Sequence, residues 1–155
     1  MDKVPSFNLD HDKVRAPYVR LCDRIETPHG DLITKFDIRF TQPNVAYLDS
    51  AAMHTIEHIV AELSRDYWPG EVVDFSPMGC KTGFYLTLLG EHSTMGVAAK
   101  MEAILKRLAS WDQPIPGATR RTCGNWQFHD LEKAKAAARA WVEGIGKKGY
   151  DPFIA

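Results

Sequence analysis

Apolar and polar residues alternate along two neighbouring segments near the start of the chain. Because every second residue is apolar, the pattern predicts β-strands over 19–26 and 31–40. The turn sequence at 27–30, Thr-Pro-His-Gly, favours a β-hairpin. One face of the hairpin would be apolar and would comprise Val19, Leu21, Ile25, Leu32, Phe36, Ile38 and Phe40. The other face would be exposed to solvent and would carry Asp37 and Arg39.

Three later segments repeat apolar residues at spacings of three and four, which is typical of amphipathic helices. They predict helices over 50–67, 93–111 and 129–145. Between the first two helices, apolar runs predict strands over 71–76 and 82–89, joined by a glycine-containing loop. The order ββαββαα predicts an α+β fold, in which an antiparallel β-sheet of about four strands has helices packed on one face.

The composition limits the classes of protein to which the chain can belong. Its 155 residues, 45% of them hydrophobic, predict one packed domain spanning 1–155. The 19 basic and 20 acidic residues nearly balance, so we expect no nucleic-acid partner and no anionic membrane surface. No apolar run approaches the length of a membrane span, and the first residues do not resemble a signal peptide. We therefore expect a cytoplasmic protein.

A short motif on the first predicted helix indicates metal chemistry. His54 and His58 are four residues apart, so both imidazoles project from one helix face and together can hold one metal ion. Glu57 lies beside them, where a carboxylate can transfer protons next to a metal. The order His-x-x-Glu-His is known from inverted-motif zinc hydrolases. Two histidines on a polar helix face also occur without any metal.

The three cysteines strengthen the case for a metal. An odd number cannot pair completely within one chain, which favours reduced thiols. Cys80 and Cys123 each adjoin a glycine in a predicted loop, and either thiolate suits zinc or ferrous iron as a third ligand. The other could then transfer protons; spacing does not choose between them. Cys22, on a strand, is predicted to be a packing residue, and His129, at a helix start, a capping or packing residue.

Several motifs follow one another along roughly residues 6–142. They are Ser6-Phe7-Asn8-Leu9-Asp10-His11, Ala16-Pro17-Tyr18-Val19-Arg20, Gly30-Asp31, Phe36-Asp37-Ile38-Arg39-Phe40, His54-Thr55-Ile56-Glu57-His58, Asp74-Phe75-Ser76-Pro77-Met78-Gly79-Cys80-Lys81-Thr82-Gly83-Phe84-Tyr85 and Cys123-Gly124. In this order the motifs resemble those of the S-ribosylhomocysteine lyase (LuxS) family, the autoinducer-2 synthases. The chain departs from the family at Ile56, where leucine is common, and in the tail 144–155.

The resemblance implies a set of site residues. His54, His58 and Cys123 match the family's metal ligands, with Fe(II) as the native ion and Zn(II) or Co(II) as substitutes. Cys80 matches the catalytic thiol and Glu57 the catalytic carboxylate. The remaining matched positions lie near Cys80 or the ribose (Ser6, His11 and Arg39) or near the homocysteine end of the substrate (Phe7, Arg65 and Asp74). The resemblance also implies a homodimer with two sites at the interface, to which the partner subunit contributes residues.

The implied reaction is cleavage of the thioether of S-ribosylhomocysteine to homocysteine and 4,5-dihydroxy-2,3-pentanedione, the precursor of autoinducer-2. It proceeds by carbonyl migration and β-elimination, for which Arg39 would hold Cys80 as a thiolate. Two alternatives remain at this point. One is a small metallopeptidase in which Glu57 activates water and a distant residue such as Glu132 is the third ligand. The other is a binding module with a closed structural metal site.

Overall fold

The computed structural model describes residues 3–154 and contains one four-stranded antiparallel sheet in the order β1-β2-β4-β3. The strands are β1 (Tyr18–Glu26), β2 (Leu32–Arg39), β3 (Val72–Pro77) and β4 (Gly83–Leu89). Every strand begins and ends within one residue of the predicted position. The predicted α+β class and the antiparallel pairing are confirmed.

Three helices cover one face of this sheet. They are α1 (Ser50–Tyr67), α2 (Thr94–Ala109) and α3 (Leu131–Lys148), and each begins after a residue whose side chain caps the first backbone N–H groups (Asp49, Ser93 and Asp130). Helix α3 starts later and ends later than the apolar pattern predicted. A short 3-10 helix, Pro5–Asn8, lies in the first segment, where no regular element was predicted. Among residues 3–154, no helix is long and apolar enough to cross a membrane.

The core lies between the helices and the inner face of the sheet. Alternate residues of β2 and β4 point into it and are buried, as are the apolar stripes of all three helices. Helix α3 is also joined to the sheet by a polar contact, because the Trp141 indole Nε1 donates a 2.9 Å hydrogen bond to the Arg39 carbonyl oxygen. This hydrogen bond connects α3 to the end of β2.

The outer face of the sheet differs from the predicted solvent-exposed surface in two ways. The pairing of β1 with β2 shifts between Leu21 and Asp23, so Ile25 lies opposite Ile33 on the outer face and not with Val19 in the core. Asp37 and Arg39 also lie on the outer face, but they are 0% and 2% exposed. The prediction that they are solvated was therefore wrong: the two side chains pair with each other and also bind Tyr18, Arg20 and Thr82.

The tail that the sequence left uninterpreted runs beside the edge strand β1. The Arg15 amide donates to the Pro152 carbonyl at 2.7 Å, and the Val19 amide donates to the Tyr150 carbonyl at 3.0 Å. Gly144, near the end of α3, packs so closely on Pro17 that an added Cβ would lie 2.6 Å from Pro17 Cγ. The tail thus satisfies a backbone donor of a strand that has no neighbouring strand on that side.

Candidate metal centre and active site

Helix α1 presents two imidazoles side by side on one face. His54 and His58 are separated by one turn, and their ring centroids lie 4.6 Å apart with the planes nearly perpendicular. Each ring is held by a backbone carbonyl: His54 Nδ1 donates to Phe128 O and His58 Nδ1 donates to Pro116 O, both at 2.6 Å. Because Nδ1 carries the proton, Nε2 of each ring has a free lone pair for a metal.

Cys123 completes a compact donor set with these two nitrogens. Its Sγ lies 3.5 Å from His54 Nε2 and 3.9 Å from His58 Nε2. Two ligands of a tetrahedral zinc-type site, one sulfur and one nitrogen, are about 3.6 Å apart when the metal–ligand distances are ordinary. The three atoms are therefore spaced for one ion, and two imidazoles with one thiolate suit Zn(II) or Fe(II).

Glycine allows the loop before Cys123 to approach the helix. Gly117 has a positive φ of +65°, and an added Cβ would lie 3.4 Å from His58 Nδ1. The same tight loop supplies the Pro116 carbonyl that holds His58, and it continues into a turn in which the Cys123 amide donates to Thr119 O at 3.0 Å. A side chain at position 117 would strain the backbone that positions both groups.

His129 is a fourth member of the cluster that sequence reasoning missed. One ligand atom each of His54, His58, Cys123 and His129 lie within 4.8 Å of one another. The His129 ring stacks on His54 with the ring centroids 4.0 Å apart, and its Nδ1 lies 3.1 Å from Thr55 Oγ1. Its Nε2 is buried and has no hydrogen-bond partner among the described residues. Burial, and secondly repulsion from His54 and His58, lowers the pKa of His129 to about 4. The neutral ring places no positive charge beside the donor atoms of His54, His58 and Cys123.

The expectation that His129 caps or packs a helix describes only part of its position. It directly precedes Asp130, whose side chain caps α3, and the Asp130 amide donates to Thr55 Oγ1 at 3.0 Å. The cap therefore ties the start of α3 to α1 and brings His129 against His54. No sequence spacing signals this, because it results from how two helices pack.

A cavity of about 350 Å³ adjoins the metal cluster. Its wall includes Glu57 and His58 from α1 and, further along the helix, the exposed Arg65. Asp74 of β3 lies on the opposite side. The cavity thus gathers three predicted site residues, Glu57, Arg65 and Asp74, beside one of the predicted metal ligands.

A second cavity, of about 580 Å³, contains Cys80. His11, Arg39, Tyr47 and Thr82 also line it. Cys80 is exposed in the turn that joins β3 to β4, in which the Lys81 amide donates to Met78 O at 3.0 Å and Lys81 adopts a left-handed φ of 62°. No member of the metal cluster lines this cavity among residues 3–154. Within one chain, then, the two halves of the predicted site open into different cavities.

Arg39 is held under this second cavity by Asp37. Its Nε and Nη2 donate to the two Asp37 carboxylate oxygens at 3.0 and 2.7 Å, while Nη1 donates to Thr82 Oγ1 at 2.8 Å. Burial disfavours the charged guanidinium, but the hydrogen bonds and charge of Asp37 outweigh burial and raise the pKa of Arg39. A fixed positive charge therefore lies beside the Cys80 loop.

Two of the predicted substrate-binding residues, Ser6 and Phe7, line neither of these cavities. They belong to the short helix Pro5–Asn8, where Ser6 is half-buried and Phe7 is 68% exposed. Neither residue lines a cavity that contains Cys80 or Glu57. An exposed phenylalanine of this size is available to contact another surface.

The third ligand that the peptidase alternative requires is not found at Glu132. Its side chain is 80% exposed and pairs with Lys135 at 3.9 Å. Cys123 occupies the position beside the two histidines instead. Nothing in the described geometry favours a metallopeptidase.

Comparisons with known proteins agree with this geometry. The chain matches the family model described as S-Ribosylhomocysteinase (LuxS) over residues 4–150. It is 52% identical to a protein of Deinococcus radiodurans named S-ribosylhomocysteine lyase, covering 90% of this chain and 87% of the relative. Relatives of the same name in Deinococcus deserti (50% identical, 94% of each chain) and Lactobacillus acidophilus (46% identical, 99% and 97%) extend the agreement. The chain therefore belongs to the S-ribosylhomocysteinase (LuxS) family of carbon–sulfur lyases.

Proposed function

We propose that this protein cleaves the thioether of S-ribosylhomocysteine, releasing homocysteine and 4,5-dihydroxy-2,3-pentanedione, the precursor of autoinducer-2. One observation carries the proposal: His54 Nε2, His58 Nε2 and Cys123 Sγ converge at single-ion spacing beside the Glu57 cavity. With three ligands, a coordination position stays open for substrate, which is the catalytic pattern. The relatives named S-ribosylhomocysteine lyase support the same substrate.

The substrate dictates what the residues must do. Its open-chain sugar carries an aldehyde at C1, whereas the sulfur leaves from C5. Loss of a thiolate from C5 requires an acidic proton at C4, and therefore a carbonyl at C3. The carbonyl must migrate from C1 to C2 and then to C3 by successive proton transfers on adjacent carbons, after which β-elimination breaks the carbon–sulfur bond. Groups that move protons are needed at more than one carbon.

Glu57 and Cys80 are proposed as these two proton-transfer groups. Glu57 lies on α1 next to His58, and both residues line the same cavity. Cys80 projects from an ordered turn into the cavity that Arg39 also lines, and its thiolate is the form that would accept a proton. A bound divalent ion supplies Lewis-acid stabilisation of the negative charge that develops on the substrate oxygens. We propose Fe(II), with Zn(II) or Co(II) as substitutes, since the donor set suits all three.

We propose that the complete site forms between two copies of the chain. Cys80 and the metal cluster open into different cavities of one chain, yet the reaction needs both near one substrate. Within the part of the chain that the structure describes, none of the three α-helices covers the outer face of the sheet. This face has an apolar row, Ile25–Ile33–Leu89, whose end members are 49% and 45% exposed. Burying such a face against a second sheet would stabilise a homodimer.

The homocysteine end of the substrate is zwitterionic, and we propose that the cavity beside Glu57 binds it. Asp74 would pair with the ammonium group and Arg65 with the carboxylate. Phe7 would pack on the aliphatic part across the dimer interface, while Ser6 and His11 would contact the ribose near Cys80. A thiolate catalyst and ferrous iron both need reducing conditions, which supports a cytoplasmic location.

The proposal is tested by replacing Cys80 with alanine and measuring both bound metal and homocysteine release. We expect Cys80→Ala to retain the metal content of the wild type and to release no homocysteine, because Cys80 is outside the cluster. Cys22→Ala is the matched control and should retain both. Full lyase activity in Cys80→Ala would overturn the role of Cys80.

A further inference from the structure

The side chain of Thr82 lies between a buried ion pair and the Cys80 sulfur. Thr82 directly precedes β4 and is 5% exposed. Its Oγ1 accepts a 2.8 Å hydrogen bond from Arg39 Nη1 and lies 3.1 Å from Cys80 Sγ. The hydroxyl therefore contacts both the charge and the sulfur.

The direction of each hydrogen bond follows from counting donors. A guanidinium has no acceptor atom, so Arg39 can only donate to Thr82. The Thr82 hydroxyl can then donate its one proton to a second partner. Within residues 3–154, that other hydrogen-bond partner is the Cys80 sulfur. A thiolate has no proton to donate, so in that state Thr82 must be the donor. All three groups are then satisfied at once.

The backbone and Asp37 keep this arrangement in place. Asp37 receives two hydrogen bonds from Arg39 and further ones from Tyr18 Oη and Arg20 Nη2, both at 3.3 Å, so the guanidinium has little freedom to turn. The Thr82 carbonyl accepts from the amides of Phe40 and Thr41 at 2.9 and 3.1 Å. A donor held on both sides loses little entropy when it binds the sulfur.

We propose that Thr82 is a positioning residue for Cys80: its hydroxyl, oriented by the buried Asp37–Arg39 pair, donates a hydrogen bond to Sγ and stabilises the thiolate. This inference rests on the proposed function only in giving Cys80 a catalytic use. The hydrogen bond itself is a property of the free protein. Hydrogen bonds to an ionised acceptor are among the stronger ones, which gives the single hydroxyl a measurable effect.

Other charged and titratable groups face the same sulfur and must be kept unchanged in any test. Arg39 approaches from β2, His11 and Tyr47 line the cavity from two loops, and Lys81 follows Cys80 in the turn. The Lys81 ammonium lies 5.5 Å from the Tyr47 ring centroid. A change at position 82 alone leaves all four in the protein.

The experiment compares Thr82→Val, which removes the hydroxyl and keeps the branched shape, with Thr82→Ser, which keeps the hydroxyl. The rate of Cys80 alkylation by iodoacetamide is followed between pH 5 and 10 by peptide mass spectrometry, without substrate. We expect Thr82→Val to react about tenfold more slowly near neutral pH, with its profile displaced to higher pH, and Thr82→Ser to resemble the wild type. Thr94→Val, at the start of α2, is the matched control and should also resemble the wild type.

Two results would overturn the inference. One is a wild-type alkylation profile in Thr82→Val; the other is equal slowing in Thr82→Val and Thr82→Ser, which would show that shape and not the hydroxyl matters. If Thr82→Val does not fold, Thr82→Ala replaces it under the same criteria. Homocysteine release is measured in parallel, and kcat should fall in Thr82→Val with KM little changed. A wild type without lyase activity would refute the proposed function, while the alkylation comparison would still decide the role of Thr82.

Discussion

Cys123 Sγ lies 3.5 Å from His54 Nε2, although 69 residues separate the two positions in the chain. The contact depends on a loop that passes over α1 and is fixed there by the hydrogen bond from His58 to Pro116. The fold thus brings the three ligand atoms together. Ligands whose rings are oriented by hydrogen bonds bind metal more tightly, and three of them leave the remaining coordination position to substrate.

Replacing Cys123 with alanine should remove the metal. Two imidazoles alone bind divalent ions far more weakly than two imidazoles with a thiolate. We expect the metal content of Cys123→Ala to fall well below one ion per chain in elemental analysis, and Cys22→Ala to stay near one. Stoichiometric metal in Cys123→Ala would show that the ligand set is wrong.

Replacing Glu57 with glutamine should abolish proton transfer while leaving the metal bound. The amide keeps the size of the side chain but cannot accept a proton, and loss of a general base costs about 10²–10⁴-fold in rate. The measurement is kcat for homocysteine release together with metal content. Glu62→Gln is the matched control, since Glu62 is on the same helix and lines the same cavity. Equal losses in both variants would argue against a specific role for Glu57.

Cys22 should behave as a protonated packing residue. Burial raises the pKa of its thiol from 9.0 to about 11. As the pH rises, the thiol of the unfolded chain ionises first, so the contribution of Cys22 to stability is complete below about pH 9 and declines between 9 and 11. The free energy of unfolding, measured with a denaturant, should therefore fall more steeply between pH 9 and 11 in the wild type than in Cys22→Ala. If the free energy of unfolding has the same pH dependence in both proteins, Cys22 is not a buried, protonated packing residue.

Two glycines on α3 should respond oppositely to alanine. A Cβ at Gly144 would lie 2.6 Å from Pro17 Cγ, whereas one at Gly146 would meet nothing within 4 Å. We expect Gly144→Ala to destabilise the protein by about 1–3 kcal/mol through overpacking. Gly146→Ala should stabilise it by up to about 1 kcal/mol through helix propensity. Denaturant unfolding measures both, and similar changes in the two variants would refute the close approach.

Local pattern predicted most of the fold, but less of the site. Alternation and three-to-four spacing located the strands and helices, because each element buries one face. The prediction that Ile25 faces the core was wrong. The shift in the pairing of β1 with β2 cannot be recognised from the alternation of apolar and polar residues. The burial of Asp37 and Arg39 was missed for a similar reason: the pair binds side chains distant in sequence, namely Tyr18, Arg20 and Thr82.

In the candidate site, too, local spacing predicted some residues, whereas others come together only through packing. His54 and His58 are visible from spacing because both are on one helix, but the choice of Cys123 over Cys80 as their neighbour required the family resemblance. His129 was not recognised, since its approach to His54 depends on the packing of α3 against α1. Thr82 lies within one of the motifs that carry the family resemblance, but only its contacts with Arg39 and Cys80 distinguish it from its neighbours there.

The central claim is most directly tested by measuring homocysteine thiol released from S-ribosylhomocysteine by protein purified and loaded with Fe(II) under anaerobic conditions. We predict one thiol for each substrate consumed, loss of the activity when a chelator removes the metal, and recovery when Fe(II) is restored. Metal-loaded protein that releases no thiol, or release that continues unchanged after the metal is removed, would contradict the account.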